Sequence, residues 1–322
     1  MRFDASTTLA LTLALGLAGC GSGDGSGTNE GGGPLKADPG SAAAVAQDAR
    51  GRVRCPARIA TPAPAAGSPT VDVIGLRPGL TYDEAANIVL CDNPLMVVTE
   101  EKYRGFDIDS GGQSWRKGFT GAYAQAASTL TPEEQMHETL RAASARSAGA
   151  RAPDSVNPGE AQVYVATVGL PGEERVISAS RRERYADDSR PTLANAVAAL
   201  TAKYGAPTAD DDHGNRRVLK WAYDPAGRRI LETSPYFFSC SAPASPDSGS
   251  NLSPNCGVVV QAELVALSEN PDLADSLSVG VIDQAGGYRL LNEVEQAWAN
   301  QDQARRAAEV DRAAAQGAAP KL

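Results

Sequence analysis

Apolar and polar positions alternate over many short stretches of the chain, which is the spacing of half-buried β-strands. Glycine, proline and short polar residues bound these stretches and favour turns between them. One such turn, at Pro171 and Gly172, predicts a hairpin. The predicted strands cover residues 71–74, 95–98, 106–108, 117–123, 161–168, 174–185, 217–223, 229–231, 257–267 and 278–283.

Other stretches carry the signals of helices. A capping box, in which a polar residue is followed three positions later by glutamate, starts three of them at Thr81, Thr131 and Asn292. The clearest helix lies after Thr192, because apolar residues recur on one face until Gly205 ends it. The predicted helices cover residues 82–90, 132–149, 193–204 and 292–315.

These elements follow one another without regular βαβ alternation. The sequence therefore predicts an α+β fold, with short antiparallel sheets, packed helices and two related units. A tether rich in Gly, Pro and Ala precedes them, and a signal peptide precedes the tether. The predicted segments are a signal peptide over 1–19, a flexible tether over 20–68, a first unit over 69–150, a second unit over 160–300, and a helix end and tail over 301–322.

The first residues have the pattern of a bacterial lipoprotein signal. A basic residue, Arg2, is followed by an apolar stretch too short to span a bilayer, and Leu-Ala-Gly then precedes Cys20. The pattern predicts lipidation of Cys20 and attachment to a membrane through acyl chains. An ordinary secretory signal with an incidental cysteine is the alternative. The chain would then face the periplasm, and Gly21, which is not an acidic retention signal, favours the outer membrane.

Cysteine usage agrees with an oxidising compartment. Of five cysteines, four remain once Cys20 is assigned to lipid, and four cysteines allow three pairings. Cys240 and Cys256 bracket a loop of Ser, Pro, Ala and Gly, so we favour that pair and therefore also Cys55 with Cys91. Zinc binding is the alternative, but closely spaced cysteine pairs with histidines are absent from the sequence, so no metal and no cofactor are predicted.

The formal charge of −9 argues against nucleic acid as a partner, because the phosphate backbone requires a basic surface. His137 and His213 are the only histidines, and neither belongs to a zinc-protease motif. Calcium could use the carboxylates beside His213 or those around Asp107, but both segments lack the full ligand spacing. Ser114 and Lys117 match a serine-lysine pair, although the later motifs of such enzymes are out of order.

Two segments share a plan of a capped helix, a stop, a proline and then strands. The first runs from Pro78 to Pro94, and the second from Leu200 through Trp221-Ala222-Tyr223. Both resemble the small envelope lipoproteins of the SmpA/OmlA (BamE) type and the tandem fold of the β-lactamase-inhibitor proteins. The resemblance implies an α+β binding module and not an enzyme.

Large aromatic residues are the best candidates to anchor a partner. We predict Trp115, Tyr236 and Phe237 as partner-binding residues, with burial in the core as the competing interpretation. The predicted function is a lipid-anchored, non-catalytic binding module whose partner is an envelope or periplasmic protein. A periplasmic hydrolase with an unrecognised site is the alternative. In that case we expect a pocket that joins Ser114 to Lys117, or His213 to several carboxylates.

Overall fold

The computed structural model of the chain describes residues 38–51, 53–64, 69, 71–102, 104–108, 110, 112–147, 156–249 and 251–317. The predicted signal peptide, the predicted lipidation site Cys20 and part of the predicted tether lie outside these residues. Within the predicted tether, Ala42–Arg50 form a helix, α1, which the sequence analysis did not predict. The hydroxyl of Ser41 caps α1 by accepting the N–H of Ala44.

In the described part of the chain, eight strands form one antiparallel sheet. They are β1 Met96–Glu100, β2 Gly118–Tyr123, β3 Ala161–Val168, β4 Arg175–Arg184, β5 Ala209–Asp212, β6 Arg216–Ala222, β7 Val258–Leu267 and β8 Asn270–Asp283. Their order across the sheet is β1-β2-β3-β4-β8-β7-β6-β5. Consecutive strands are therefore neighbours except at the centre, where β4 pairs with β8.

The pairing of β4 with β8 joins two halves of the sheet, and in each half a helix precedes four strands. Ser180 of β4 lies opposite Gly280 of β8, in a register that runs from Ser178↔Ile282 to Arg184↔Ser276. On one side of this seam a helix, α2, precedes β1 to β4, and on the other a helix, α4, precedes β5 to β8. The bounds are Tyr82–Asp92 for α2 and Leu193–Tyr204 for α4.

The predicted fold class is wrong. In place of short sheets with packed helices in an α+β arrangement, one large antiparallel sheet contains all eight strands and dominates the fold. The physical reason is the pairing of β4 with β8, which merges the strands on either side into one hydrogen-bonded surface. A periodic pattern identifies a strand and its buried face, but it does not identify a partner that is about a hundred residues away.

The helices α2 and α4 cover one face of the sheet and form the larger core with it. The capping box predicted for α2 is present: Thr81 accepts the N–H of Glu84, whose carboxylate accepts the N–H of Thr81. At the end of α4, the indole Nε1 of Trp221 donates to the carbonyl of Gly205 at 2.8 Å. Trp221 is 1% exposed, so this bond fixes the helix end against a fully buried ring.

A helix and a long connection cover the opposite face of the sheet. Helix α5, Gln284–Gln316, places Val294 and Trp298 on the second core, together with part of the long connection between β6 and β7. We predicted this helix from Asn292, but it begins directly at the end of β8, where Asp283 caps it by accepting the N–H of Gly286. Helix α3, Pro132–Ser147, lies in the connection from β2 to β3, with Met136 exposed.

Some predicted strands are absent and one strand was missed. Residues 106–108 form no strand, and 71–74 and 229–231 contribute only the isolated bridges Val73↔Leu76 and Tyr223↔Arg229. The missed strand is β5, which is largely aspartate. It forms because Arg217 of β6 donates two hydrogen bonds of 2.7 Å to Asp210 and so compensates one of its charges.

Candidate functional site

The candidate site lies in the connection between β6 and β7. This connection contains two consecutive segments, which we call the aromatic loop, residues 231–240, and the strap, residues 241–249. The disulfide between Cys240 and Cys256, with Cα atoms 5.5 Å apart, closes the connection where the loop meets the strap. The second disulfide joins Cys55 to Cys91. Both are the pairings favoured from the sequence.

Three consecutive aromatic residues of the loop point alternately out and in. Tyr236 is 47% exposed, Phe237 is 6% exposed and Phe238 is 84% exposed. Leu231, at the start of the loop, is 62% exposed. Large apolar side chains are costly to leave in water, so three exposed ones on one short loop make it a candidate contact surface.

Phe237 anchors the loop to the sheet. Its ring belongs to the second core, and the Lys220 ammonium of β6 lies 4.3 Å from the ring centroid. The same Nζ donates to the Phe237 carbonyl at 3.5 Å. Burial lowers the pKa of Lys220, because the surrounding apolar groups disfavour its charged form. The buried ring and the cation together fix the middle of the loop.

Backbone turns hold the exposed residues on either side of this anchor. The N–H of Phe237 donates to the carbonyl of Ser234 at 3.1 Å, and the N–H of Cys240 donates to the carbonyl of Tyr236 at 3.1 Å. The Ser239 hydroxyl donates to that carbonyl as well, at 2.8 Å. The exposed rings therefore project from a hydrogen-bonded turn that Phe237 attaches at its centre and the disulfide to Cys256 attaches at its end.

The strap continues from the loop across the sheet face opposite α2 and α4. Its Ser241 carbonyl accepts from the Gln284 side chain at 2.7 Å, and its Pro246 carbonyl accepts from Arg104 at 2.9 Å. Asp247 pairs with Arg182 of β4 at 2.9 Å. We predicted this segment as a turn-rich loop with little to hold it, but residues 242–246 are buried.

The predicted partner-binding residues therefore have different environments. Tyr236 is on the exposed surface, whereas Phe237 is the buried anchor. Trp115 lies elsewhere, against Trp298 with ring centroids 5.0 Å apart, and its buried Nε1 has no hydrogen-bond partner within the described residues. Phe238 belongs to the same aromatic run, but it was not among the three residues predicted to bind a partner. The available signal was the run of three aromatics between Pro235 and Cys240, since a tight turn cannot direct three successive rings into one core.

The residues considered for catalysis are not gathered into a site. Ser114 is exposed, and Lys117 pairs with Asp107 at 3.3 Å. His137 is exposed on α3, and His213 is exposed at the turn between β5 and β6. Within the described part of the chain, no group of three or more His, Cys, Asp or Glu side chains is arranged to hold a metal ion. Asp109 and Gly111 of one calcium candidate lie outside the described residues.

Comparisons of the chain with protein-family models, curated proteins and solved structures find no match. The resemblance to the envelope lipoproteins and the inhibitor proteins therefore stays a prediction. Every helix within the described ranges is too short or too polar to cross a bilayer.

Proposed function

We propose that the chain is a lipid-anchored, non-catalytic binding protein of the bacterial envelope that holds a protein partner on its aromatic loop. Cys20 is the lipidated residue in this proposal, and the folded part faces the periplasm, with the outer membrane as its site of attachment. The observation that carries the proposal is the exposure of Leu231, Tyr236 and Phe238 on a loop fixed at its centre and its end.

Two physical properties of the loop favour a protein partner. Burying a large apolar side chain contributes about 1.5–3 kcal/mol, so Phe238 and Leu231 together can supply a substantial part of a binding free energy. Aromatic residues dominate the binding energy of many protein interfaces. Because turns, Phe237 and the disulfide hold the loop in place, little conformational entropy remains to be lost on binding.

Among the described residues, two charged side chains considered for the alternative function are engaged in ion pairs. A hydrolase that works through a covalent intermediate needs a nucleophile beside a base that a third group orients. In the described residues, Lys117 is engaged by Asp107, and the Asp210 carboxylate next to His213 is engaged by Arg217. The loop offers packing surface and backbone carbonyls, which recognise a partner without performing chemistry on it.

Site-directed photo-crosslinking in the bacterial envelope tests the proposal. A photoreactive amino acid replaces Phe238 in the full, processed chain, and in a matched chain it replaces Val310, which is 67% exposed on α5. We expect a single crosslinked species of defined size from position 238 and none of that size from position 310. Identical products from both positions, or none from position 238, would overturn the proposed interface.

A second variant tests the same surface without a probe. Phe238→Ser with Tyr236→Ser should abolish co-purification of the crosslinked partner, whereas Val310→Ser should leave it unchanged. Membrane fractionation tests the anchor separately, because Cys20→Ser should move the chain from the membrane fraction to the soluble periplasmic fraction. Retention of the Cys20→Ser chain in the membrane fraction would contradict lipid anchoring at that residue.

A further inference from the structure

A groove of about 330 Å³ lies on the helical face of the sheet, away from the aromatic loop. Its floor is the seam between the two halves, where Arg181 of β4 lies opposite Val279 of β8. Helix α4 forms one wall, and Val73 and Ile74 line the groove as well. The groove exists because the two halves meet at β4 and β8 and the helical layer leaves the seam open.

The groove has the size and character of a small-molecule site. Such sites are concave, about 300–1,000 Å³, mostly apolar, and equipped with a few polar groups that orient the ligand. Here the lining is mainly aliphatic, with Leu200 of α4 and Val279 of β8 among it. Ile74 has a φ of 51°, a conformation rare for a β-branched residue, and strained residues of this kind cluster at ligand sites.

The charged residues of the lining are two cations, Arg181 and Lys203. Their carboxylate partners do not line the groove: Glu183 binds Arg181 at 2.5 Å, and Asp72 binds Lys203 at 3.0 Å. The Nε of Arg181 is buried and has no hydrogen-bond partner in the described part of the chain. A guanidinium N–H without an acceptor is costly, and a rotation of the Arg181 side chain that opens this N–H to the groove would let a ligand oxygen satisfy it.

We propose that this groove binds a single-chain amphiphile with a carboxylate head, that is, a free fatty acid. The acyl chain lies along the aliphatic lining beside α4. The carboxylate accepts hydrogen bonds from Arg181 and Lys203. An apolar groove whose charged lining is only cationic matches this ligand and disfavours amphiphiles with cationic or uncharged heads.

Titration calorimetry of the full chain with dodecanoate, below its micellar concentration, tests the site. Dodecyl alcohol is the matched ligand that keeps the chain length and removes the charge. We expect saturable binding of one dodecanoate per chain, and binding of the alcohol that is weaker by at least about tenfold, since even one charge-assisted hydrogen bond is worth about that factor. Equal affinities for the two ligands would overturn the assignment of a carboxylate head.

Two substitutions on α4 locate the ligand. Ala199 is exposed and lines the groove, whereas its neighbour Ala198 is exposed and does not. Ala199→Trp should fill the groove and weaken dodecanoate binding by more than about tenfold, because the indole occupies the volume of the acyl chain. Ala198→Trp should leave the affinity unchanged. The same affinity in both variants would place the ligand elsewhere and overturn the proposal.

A third variant tests the same groove in case the tryptophan of Ala199→Trp disturbs helix α4. Lys203 is 38% exposed, so Lys203→Gln should fold normally and reduce the preference for dodecanoate over the alcohol. No saturable binding of dodecanoate to the unaltered chain overturns the inference outright. The inference is independent of the proposed protein partner, since the chain with Phe238→Ser and Tyr236→Ser should bind dodecanoate unchanged while losing co-purification of the protein partner.

Discussion

Two hydrogen bonds to Glu84 hold Thr61 at the start of α2. The Glu84 carboxylate accepts the Thr61 N–H at 2.7 Å and the Thr61 hydroxyl at 2.5 Å. It also accepts the N–H of Ala60 at 2.6 Å and that of Thr81 at 3.0 Å. These donors surround a residue that is 8% exposed. Glu84 therefore has two roles. It completes the capping box of α2, and it holds residues 60 and 61 against the start of that helix, a few residues after Cys55, which forms a disulfide with Cys91.

The first prediction is that Glu84→Gln destabilises the chain by about 2 kcal/mol. Hydrogen bonds to a charged acceptor are worth about 1.5–3 kcal/mol, and the substitution removes that charge. The glutamine side chain also places an NH2 group, which is a donor, among N–H and O–H groups that are donors themselves. Urea unfolding with fluorescence detection measures the change. Glu134→Gln is the control, since Glu134 occupies the same position of an exposed capping box with Thr131. Equal effects of the two substitutions would contradict a special role for Glu84.

The second prediction concerns pH. Burial raises the pKa of Glu84, but the hydrogen bonds from Thr61, Thr81 and Ala60 outweigh it and bring the pKa to about 2. A carboxyl with a folded-state pKa below its unfolded value binds fewer protons in the folded state, so its stabilisation is present above the unfolded pKa. This contribution should therefore be full above about pH 5 and should be lost progressively as pH falls toward about 2.

Unfolding free energies at neutral and acidic pH, compared between the unaltered chain and Glu84→Gln, measure this contribution. The difference between the two chains should shrink as the pH is lowered, because protonation removes from the unaltered chain the charge that the substitution has already removed. A difference that stays constant from pH 7 to about pH 3 would assign the effect of the substitution to shape and not to charge.

Local signals in the sequence were sufficient for the elements that depend on neighbouring residues. Strand β3 has the bounds predicted from its alternation, Ala161–Val168, and α2 has the predicted capping box. Strand β5 was missed because three aspartates have low strand propensity, and its pairing depends on Arg217 of the next strand. Here a cross-strand contact overrides a local preference.

The architecture and the candidate sites required contacts between distant residues. Nothing in the alternation of β4 indicates that Ser180 meets Gly280, yet that pairing turns the strands into one sheet. The groove is likewise invisible in the sequence, because its floor and walls come from residues as far apart as Val73 and Val279. Tyr236 was predicted as a binding residue from its residue type alone. The exposure of Phe238 depends on the burial of the neighbouring Phe237 ring, which is a tertiary contact.

The third prediction concerns the disulfide between Cys240 and Cys256, which attaches the end of the aromatic loop. Replacing Cys240 and Cys256 by serine should cost about 3 kcal/mol of stability, the chain-entropy value for a loop of roughly this length. It should also reduce the crosslinking yield at position 238, because a mobile loop pays more entropy on binding. Replacing Cys55 and Cys91 by serine is the control and should leave the yield unchanged. Equal yields in all chains would show that the disulfide does not organise the surface.

The fourth prediction tests whether the strap is seated on the sheet. The carbonyl oxygen of Pro243 lies 1.7 Å from the position that a Cβ at residue 280 would occupy, so only glycine leaves room for it. Gly280→Ala should force the strap away from β8 and destabilise the chain by about 1–3 kcal/mol, the usual cost of overpacking. Gly249→Ala is the control within the strap itself, since a Cβ there has no atom within 4 Å.

Hydrogen exchange distinguishes a displaced strap from a general loss of stability. Residues 242–246 are buried and the N–H of Ser248 donates to the carbonyl of Ser245 at 2.9 Å, so peptides covering residues 241–248 should exchange faster in Gly280→Ala than in the unaltered chain. Peptides from β3, which does not pair with β8, should change little at low denaturant. Faster exchange everywhere would indicate that residue 280 supports the whole sheet, and unchanged exchange over 241–248 would contradict the seating of Pro243 on β8.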